Sequence, residues 1–375
     1  MKKYTKITAL FLAFMLMFTV AGCTSGTDES SPSPSTADGE GKAGTRTITD
    51  MLGREVEIPE TIENVVAIGA TARMLTYAGC ADKIVGITDL EKECSPGMPY
   101  AYINSDSFSK LTGVAPGGVS GEIYDEALAT LAPDIIFTSF IEIDQVNTMQ
   151  AKLNIPVVAL SYQGIFSDSV YDALTLVGDI MGAQDRCTEL IAAMKGWQKD
   201  LNDRTKDIAD ADKPSVYAGA VSFRGGHGIE GTYANYPPFT AINAKNVVDE
   251  AGKDGALLIE KEKLVVWDPD IIFLTPGNMG LVNEDYKTNS SYYTNLKAVK
   301  NGNVYSQIDY NYYGTNIELS IADAYYAGAI VYPKAFSDID FEKKADEIFK
   351  EMLGKPYMQV LKDNGNGFGK ITIGE

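Results

Sequence analysis

The chain has 375 residues, with 32 lysines and arginines against 51 aspartates and glutamates, for a formal net charge of −19. That acidity excludes a nucleic-acid binder, which needs a basic face, and excludes docking to anionic lipid by charge. The length suits two domains, and one histidine with four cysteines and no C-x-x-C gives a zinc or dithiol redox centre no ligand set.

Lys2, Lys3 and Lys6 precede an apolar run from Ile7 to Val20 that is too short for an ordinary spanning helix, so residues 1–22 read as a signal peptide. Val20-Ala21-Gly22-Cys23 resembles the lipobox of bacterial lipoproteins. That resemblance makes Cys23 the lipidated mature N-terminus and the Ser/Pro/Gly-rich stretch 23–45 a disordered tether. Cys80, Cys94 and Cys187 then remain, an odd number; Cys80 and Cys94 could pair, which spacing alone does not decide.

From 46 to 166 strands and helices alternate. Val65–Ile68, Ile84–Thr88, Asp134–Thr138 and Pro156–Leu160 read as strands, with helices over Thr71–Tyr77, Glu122–Leu131 and Asp144–Leu153. This rhythm predicts a parallel α/β lobe. Residues 167–208 break it: Val170, Leu174, Val177, Met181, Leu190, Met194, Trp197 and Leu201 recur at helical spacing. A single linking helix of roughly 60 Å is expected, with two helices broken at Gly178 or Gly182 as the alternative. Residues 209–375 form a second α/β lobe, with strands Ser215–Val221, Asp270–Leu274 and Asn303–Gln307 and helices Lys261–Trp267, Thr315–Val331 and Asp340–Leu353.

The lobes share a repeat. EALATLAPDIIF (126–137) and EKLVVWDPDIIF (262–273) each run from a glutamate through an amphipathic stretch to Pro-Asp-Ile-Ile-Phe, 136 residues apart. The expected fold class is therefore α/β: two similar α/β lobes joined by one long α-helix, with the ligand cleft between the lobes.

Residues 49–88 resemble the opening of the helical-backbone (class III) solute-binding lipoproteins of ABC importers for iron-siderophores, haem and vitamin B12. The matching pieces are Asp50-x-x-Gly53-Arg54, Ile58-Pro59, the Val65–Ile68 strand and Gly79-x-x-Asp82-Lys83-Ile84-Val85-Gly86, with Pro133-Asp134 and Pro269-Asp270 as the family's interior turns. The resemblance implies two lobes on one long helix, no catalysis, no intrinsic cofactor, a monomer, and a partner made of a permease dimer with its ATPase. It also implies that Glu126 and Glu262 dock into arginine pockets of that permease, and that the protein sits lipid-anchored on the outer face of the cytoplasmic membrane.

Ligands in such folds meet the loops at the carboxyl ends of the strands. Arg73 on the first lobe and Arg224 on the second are the charged candidates, suited to anionic chelates and oxyanions. Tyr233, Tyr236, Tyr310, Tyr312 and Tyr313 offer ring area with a hydroxyl, and His227 is the candidate axial ligand for haem or corrinoid metal. An iron(III)-siderophore or similar metal chelate is the expected cargo, ahead of corrinoid or haem and then a molybdate-type oxyanion. Gly226-His227-Gly228-Ile229-Glu230-Gly231 spells a dinucleotide fingerprint, but Pro237-Pro238 follows where a helix must open. A secreted hydrolase is the reading from another class; it lacks a G-x-S-x-G elbow.

Overall fold

The computed structural model describes residues 44–118, 122–139 and 141–375. The expected signal peptide, Cys23 and nearly all of the tether lie outside them. Strands β1 (Thr45–Thr49) and β2 (Glu55–Pro59) form an antiparallel hairpin. Its turn explains the Asp50-x-x-Gly53-Arg54 pattern. Asp50 accepts the N–H groups of Leu52 and Arg54, and Gly53 takes the left-handed turn at φ +77°. The buried Arg54 guanidinium donates to Asp50 at 2.9 Å and to the Val157 carbonyl at 3.0 Å, clamping the hairpin to the first lobe.

That lobe is a parallel sheet of β3 (Val65–Ala67), β4 (Ile84–Thr88), β5 (Thr112–Ala115), β6 (Ile135–Thr138) and β7 (Val157–Ala159), in the order β5-β4-β3-β6-β7. Helices α1 (Ala72–Tyr77), α2 (Asp125–Leu131) and α3 (Ile143–Leu153) connect it. Strand residues alternate between two cores. Val65, Ala67, Ile135 and Phe137 face one, while Val66 and Ile136 face the other.

The linking segment differs from the unbroken helix expected over 167–208. It is two helices, α4 (Asp168–Met181) and α5 (Gln184–Thr205). Gly182 ends α4 in the left-handed conformation at φ +70°, which glycine adopts at no steric cost. The chain then doubles back, and Gly178 packs so close to Cys187 that a Cβ there would lie 3.0 Å from its sulfur. The link is α5 alone, one helix of 22 residues, about 33 Å long.

The second lobe holds β8 (Ser215–Gly219), the ribbon of β9 (Gly231–Ala234) with β11 (Gly255–Leu258), and β10 (Lys245–Asn246), β12 (Ile271–Leu274) and β13 (Val304–Ser306). Its parallel sheet runs β10-β8-β12-β13. Helices α6 (Lys261–Trp267), α7 (Met279–Asn295), α8 (Ile317–Val331) and α9 (Phe341–Leu353) complete it. Val216, Ala218, Ile271 and Phe273 point into the same core as Val65 and Phe137, so one apolar cluster runs through both lobes.

The repeat is structural. Helices α2 and α6 are each seven residues, ended by left-handed Ala132 (φ 42°) and Asp268 (φ 41°). The Pro-Asp turn follows each. Asp134 accepts the N–H groups of Glu63 and Asn64 at 2.8 Å, and Asp270 accepts that of Ser215 at 2.8 Å. In both lobes the aspartate fastens the repeated strand to the start of its neighbour.

Candidate functional site

Strand β3 opens into a turn whose Gly69 and Ala70 are both left-handed, at φ +69° and +66°. A Cβ at Gly69 would lie 2.4 Å from the Ser139 carbonyl oxygen, so only glycine fits. The turn launches α1, and its second residue is Arg73, fully buried at the carboxyl ends of the strands.

Arg73 reaches the second lobe. Nη2 donates to the Tyr313 carbonyl at 2.8 Å and to Asn316 Oδ1 at 3.1 Å, and Nε reaches the same oxygen at 3.3 Å. The guanidinium carbon lies 4.7 Å from the Tyr100 ring centroid, a cation–π contact. Asn316 is fixed in turn, its amide donating to the carbonyls of Gly97, Tyr310 and Tyr312 at 3.1 Å each. The hydroxyl of Tyr162 faces the Arg73 guanidinium, both buried, and neither it nor Nη1 makes a hydrogen bond of good geometry. Buried donors are ordinarily well paired, so this corner of the site has hydrogen-bonding capacity to offer a ligand oxygen.

Two buried carboxyls stand nearby. Glu91 accepts from Tyr100 and from the Thr88 hydroxyl, each at 2.8 Å; Glu318 accepts from Tyr77 across the lobes. Burial pushes both carboxyls up, with these hydrogen bonds and Arg73 pulling the other way. Burial works against the Arg73 charge, but the guanidinium stays protonated, its pKa raised overall, with the Tyr313 carbonyl and Asn316 as hydrogen-bond partners. Tyr313 crosses to the first lobe, its phenol facing the Thr88 hydroxyl and the N–H groups of Gly69 and Ala70.

The other expected residues divide. Tyr236 and Tyr310 are buried with ring centroids 5.7 Å apart, and Tyr233 packs on Tyr236 at 5.6 Å. Tyr312 stays exposed over Gly97, beside a cavity of about 340 Å³ that Asp309 also lines. Arg224 is exposed at φ +51°. His227 is turned onto its own loop, Nε2 at 2.8 Å from the Phe223 carbonyl and its ring 4.2 Å from that of Phe223. Among the described residues no hydrogen bond, ion pair or ring contact joins Arg224 or His227 to the Arg73 group. Glu126 and Glu262 are exposed in the first turns of α2 and α6. Cys80, Cys94 and Cys187 are free thiols.

Sequence reasoning missed Thr88, Glu91, Tyr100, Asn316 and Glu318; Tyr162 opens a loop at the carboxyl end of a strand, where a ligand was expected, but was not singled out. Thr88-x-x-Glu91 was open to discovery as a capping box, which the structure forms. The rest belong to this site through contacts spanning up to 243 positions, which no local pattern encodes. A groove of about 600 Å³ lies elsewhere, where Ile165 and Phe166 of the first lobe meet Pro237 of the second along α5. It carries no buried polar group left unpaired, so the chemistry favours the Arg73 cluster over the larger volume.

Residues 65–308 match the family model of periplasmic binding proteins, and the chain belongs to that family. It is a binding protein, not an enzyme. It is 23% identical to the molybdate-binding protein MolA of Haemophilus influenzae over 83% of this chain and 92% of that one. The molybdate-bound structure of MolA, the cognate binding protein of an ABC transporter, superposes with a TM-score of 0.65 at 20% identity, covering 83% and 99% of the two chains. A probable siderophore-binding lipoprotein of Bacillus subtilis, YfiY, is 25% identical over 82% of this chain and 92% of its own. A periplasmic solute-binding protein of Veillonella parvula shares the fold with a TM-score of 0.67 at 19% identity, covering 84% and 94%.

Proposed function

We propose that this periplasmic binding protein captures an oxygen-rich anionic metal chelate, of the iron(III)-siderophore class, and hands it to an ABC importer. The observation that carries the reading is the buried Arg73 between the lobes, its guanidinium facing the Tyr162 hydroxyl without a hydrogen bond of good geometry at Nη1. Arginine in a low-dielectric cleft suits multi-oxygen anions, and the surrounding tyrosines offer ring faces and hydroxyls. One relative is named for a siderophore and one for molybdate, and the second name denotes an oxyanion. His227, already engaged by Phe223, gives less support to axial coordination of haem or a corrinoid.

A molybdate-type oxyanion is the second reading. The likeness to MolA, a molybdate-binding protein, supports it. Titrating the purified mature chain with ferric siderophores, ferric citrate and molybdate decides between them. Saturable binding of a ferric chelate supports the first reading, and binding of molybdate alone supports the second.

Delivery engages a permease dimer with its ATPase. Glu126 and Glu262 are the proposed docking points, since matched acids on matched lobes suit a two-fold partner. Cys23 holds the protein, as a monomer, on the outer face of the cytoplasmic membrane through a diacyl unit, whose two chains suffice for stable attachment.

A further inference from the structure

We infer that the cavity between Gly97 of the first lobe and Asp309 of the second is a subsite for an aminoalkyl cation, a protonated amine on a short apolar chain. Its volume of about 340 Å³ lies at the small end of ligand pockets and suits a side arm better than a whole chelate. Asp309 follows the end of β13, so the cavity opens where ligands meet the carboxyl ends of strands. It also abuts the Arg73 group. Gly97 and Tyr312 line it, and their carbonyls both accept the Asn316 amide at 3.1 Å. The oxygen of that same amide receives Arg73.

Three observations set the chemistry. First, Asp309 is the only charged residue among those that line the cavity. Its Oδ1 accepts the N–H of Asn311 at 3.0 Å, and no lysine or arginine pairs with the carboxylate among the described residues. Burial pushes this carboxyl up, the direction that a bound counter-charge reverses. Second, the buried side chains of Ile308, Leu319 and Leu361 make an apolar wall, and Tyr312 adds an aromatic ring, which attracts cations. Third, Asn364 lines the same cavity. Its Nδ2 donates to the Val360 carbonyl at 2.9 Å, which leaves the amide oxygen to accept a proton from an ammonium group.

The competing occupants fit less well. An anion would meet a carboxylate and no base. A bare metal ion needs several protein ligands, and the described residues hold no group of three or more His, Cys, Asp or Glu side chains that could supply them. A neutral apolar molecule would strip water from Asp309 and leave it without a partner. An ammonium on an alkyl chain meets every wall: the charge goes to Asp309, a second proton to Asn364, and the chain to the leucines. One consequence rests on the anionic-ligand reading proposed above. Asn316 then links a base and an acid that serve one bipolar cargo, an anionic chelate that carries an amine.

Titration of the purified mature chain with n-pentylammonium tests this, at about pH 8, where the amine is protonated. Nuclear magnetic resonance shifts of the Gly97 and Asn364 amides locate the site and give the affinity. The expected result is saturable binding, about millimolar or tighter for so small a molecule. Asp309→Asn should weaken it by about tenfold or more, and Tyr312→Leu by about threefold. Tyr312 is exposed, so its variant keeps the test open should Asp309→Asn fail to fold. Glu284→Gln, which removes an exposed acid elsewhere, should bind like the parent, and n-pentanol and pentanoate should bind more weakly than the amine. No saturable binding, equal affinity in either cavity variant, an equal loss in Glu284→Gln, or pentanol binding as tight as the amine overturns the inference. The probe contains no chelate, so its failure leaves the importer reading standing. Failure of every ferric chelate to bind would likewise leave the amine result standing.

Discussion

Arg73 and Asn316 lie 243 positions apart in sequence, yet one side-chain oxygen of Asn316 receives two N–H groups of Arg73 at 3.3 and 3.1 Å. The contact joins the lobes at the carboxyl ends of their strands. Asn316 stands at the N-cap position of α8, its side chain pinned by three carbonyls rather than capping the helix, so the guanidinium is held in place before a ligand arrives. Preorganisation of this kind reduces the ordering cost of binding.

Arg73→Ala should weaken an anionic ligand by roughly 1.5–3 kcal/mol, the scale of a charged hydrogen bond. Arg73→Lys should recover part of that, because the charge remains and the planar fork does not. Calorimetric titration of the three proteins checks the ranking. Equal affinities would mean the ligand never meets the guanidinium.

Asp323 gives a pH dependence of known sign. Its carboxyl is buried; Oδ1 accepts the Ile308 N–H at 2.9 Å and Oδ2 makes no hydrogen bond. Burial pushes it well above the ordinary carboxylate range, the Ile308 N–H pulls it back, and Asp309 pushes it further up. The folded state therefore holds this proton where the unfolded chain has released it. Stability from this group is present at low pH and is lost as pH rises from the ordinary carboxylate value towards the folded one. Asp323→Asn removes the dependence, so its melting temperature should gain on the parent as pH goes from about 4 to 8. A constant difference across that range would show that Asp323 does not titrate as described.

Glu126→Lys and Glu262→Lys should leave ligand affinity unchanged and reduce uptake, mildly for each change and severely for both, as expected of two matched contacts. Transport of labelled ligand at matched expression is the measurement. Glu284, an exposed acid paired with Lys287 at 2.5 Å, serves as the control position. Normal uptake by the double variant would leave the repeat as a feature of the fold alone.

Cys23→Ser should release the mature chain from the membrane fraction. No helix among the described residues is long and apolar enough to cross a membrane. Fractionation and immunoblotting read the outcome, and a serine variant that still sediments with membranes would refute lipidation at this cysteine.

The fold was legible where one local cause sufficed. The apolar run Ile-Ile-Phe after each Pro-Asp already placed matched strands in matched lobes, and the structure turns Ile135, Phe137, Ile271 and Phe273 into one core and Ile136 and Ile272 away from it. The break at Gly182 was harder to read, because the apolar spacing of α4 and α5 continues across it and only the backbone conformation of one glycine separates them. At the site, Arg73 stood out as an arginine just after a strand and a glycine. Tyr162 lay in a loop at the carboxyl end of a strand, where a ligand was expected, but Asn316 joins the site only through tertiary contact across 243 positions. Arg224 and His227 share the loop composition that draws attention, but their own loop engages His227 and leaves Arg224 exposed. Composition cannot reveal which way a loop side chain turns.

The most direct test of the account is a calorimetric panel on the purified mature chain: ferric catecholate and hydroxamate siderophores, ferric citrate, molybdate, haemin and cobalamin, each against the parent and Arg73→Ala. The account predicts saturable one-to-one binding of a ferric chelate, weakened about ten- to a hundredfold in Arg73→Ala. Binding of cobalamin or haemin alone, with the same affinity in both proteins, would contradict it.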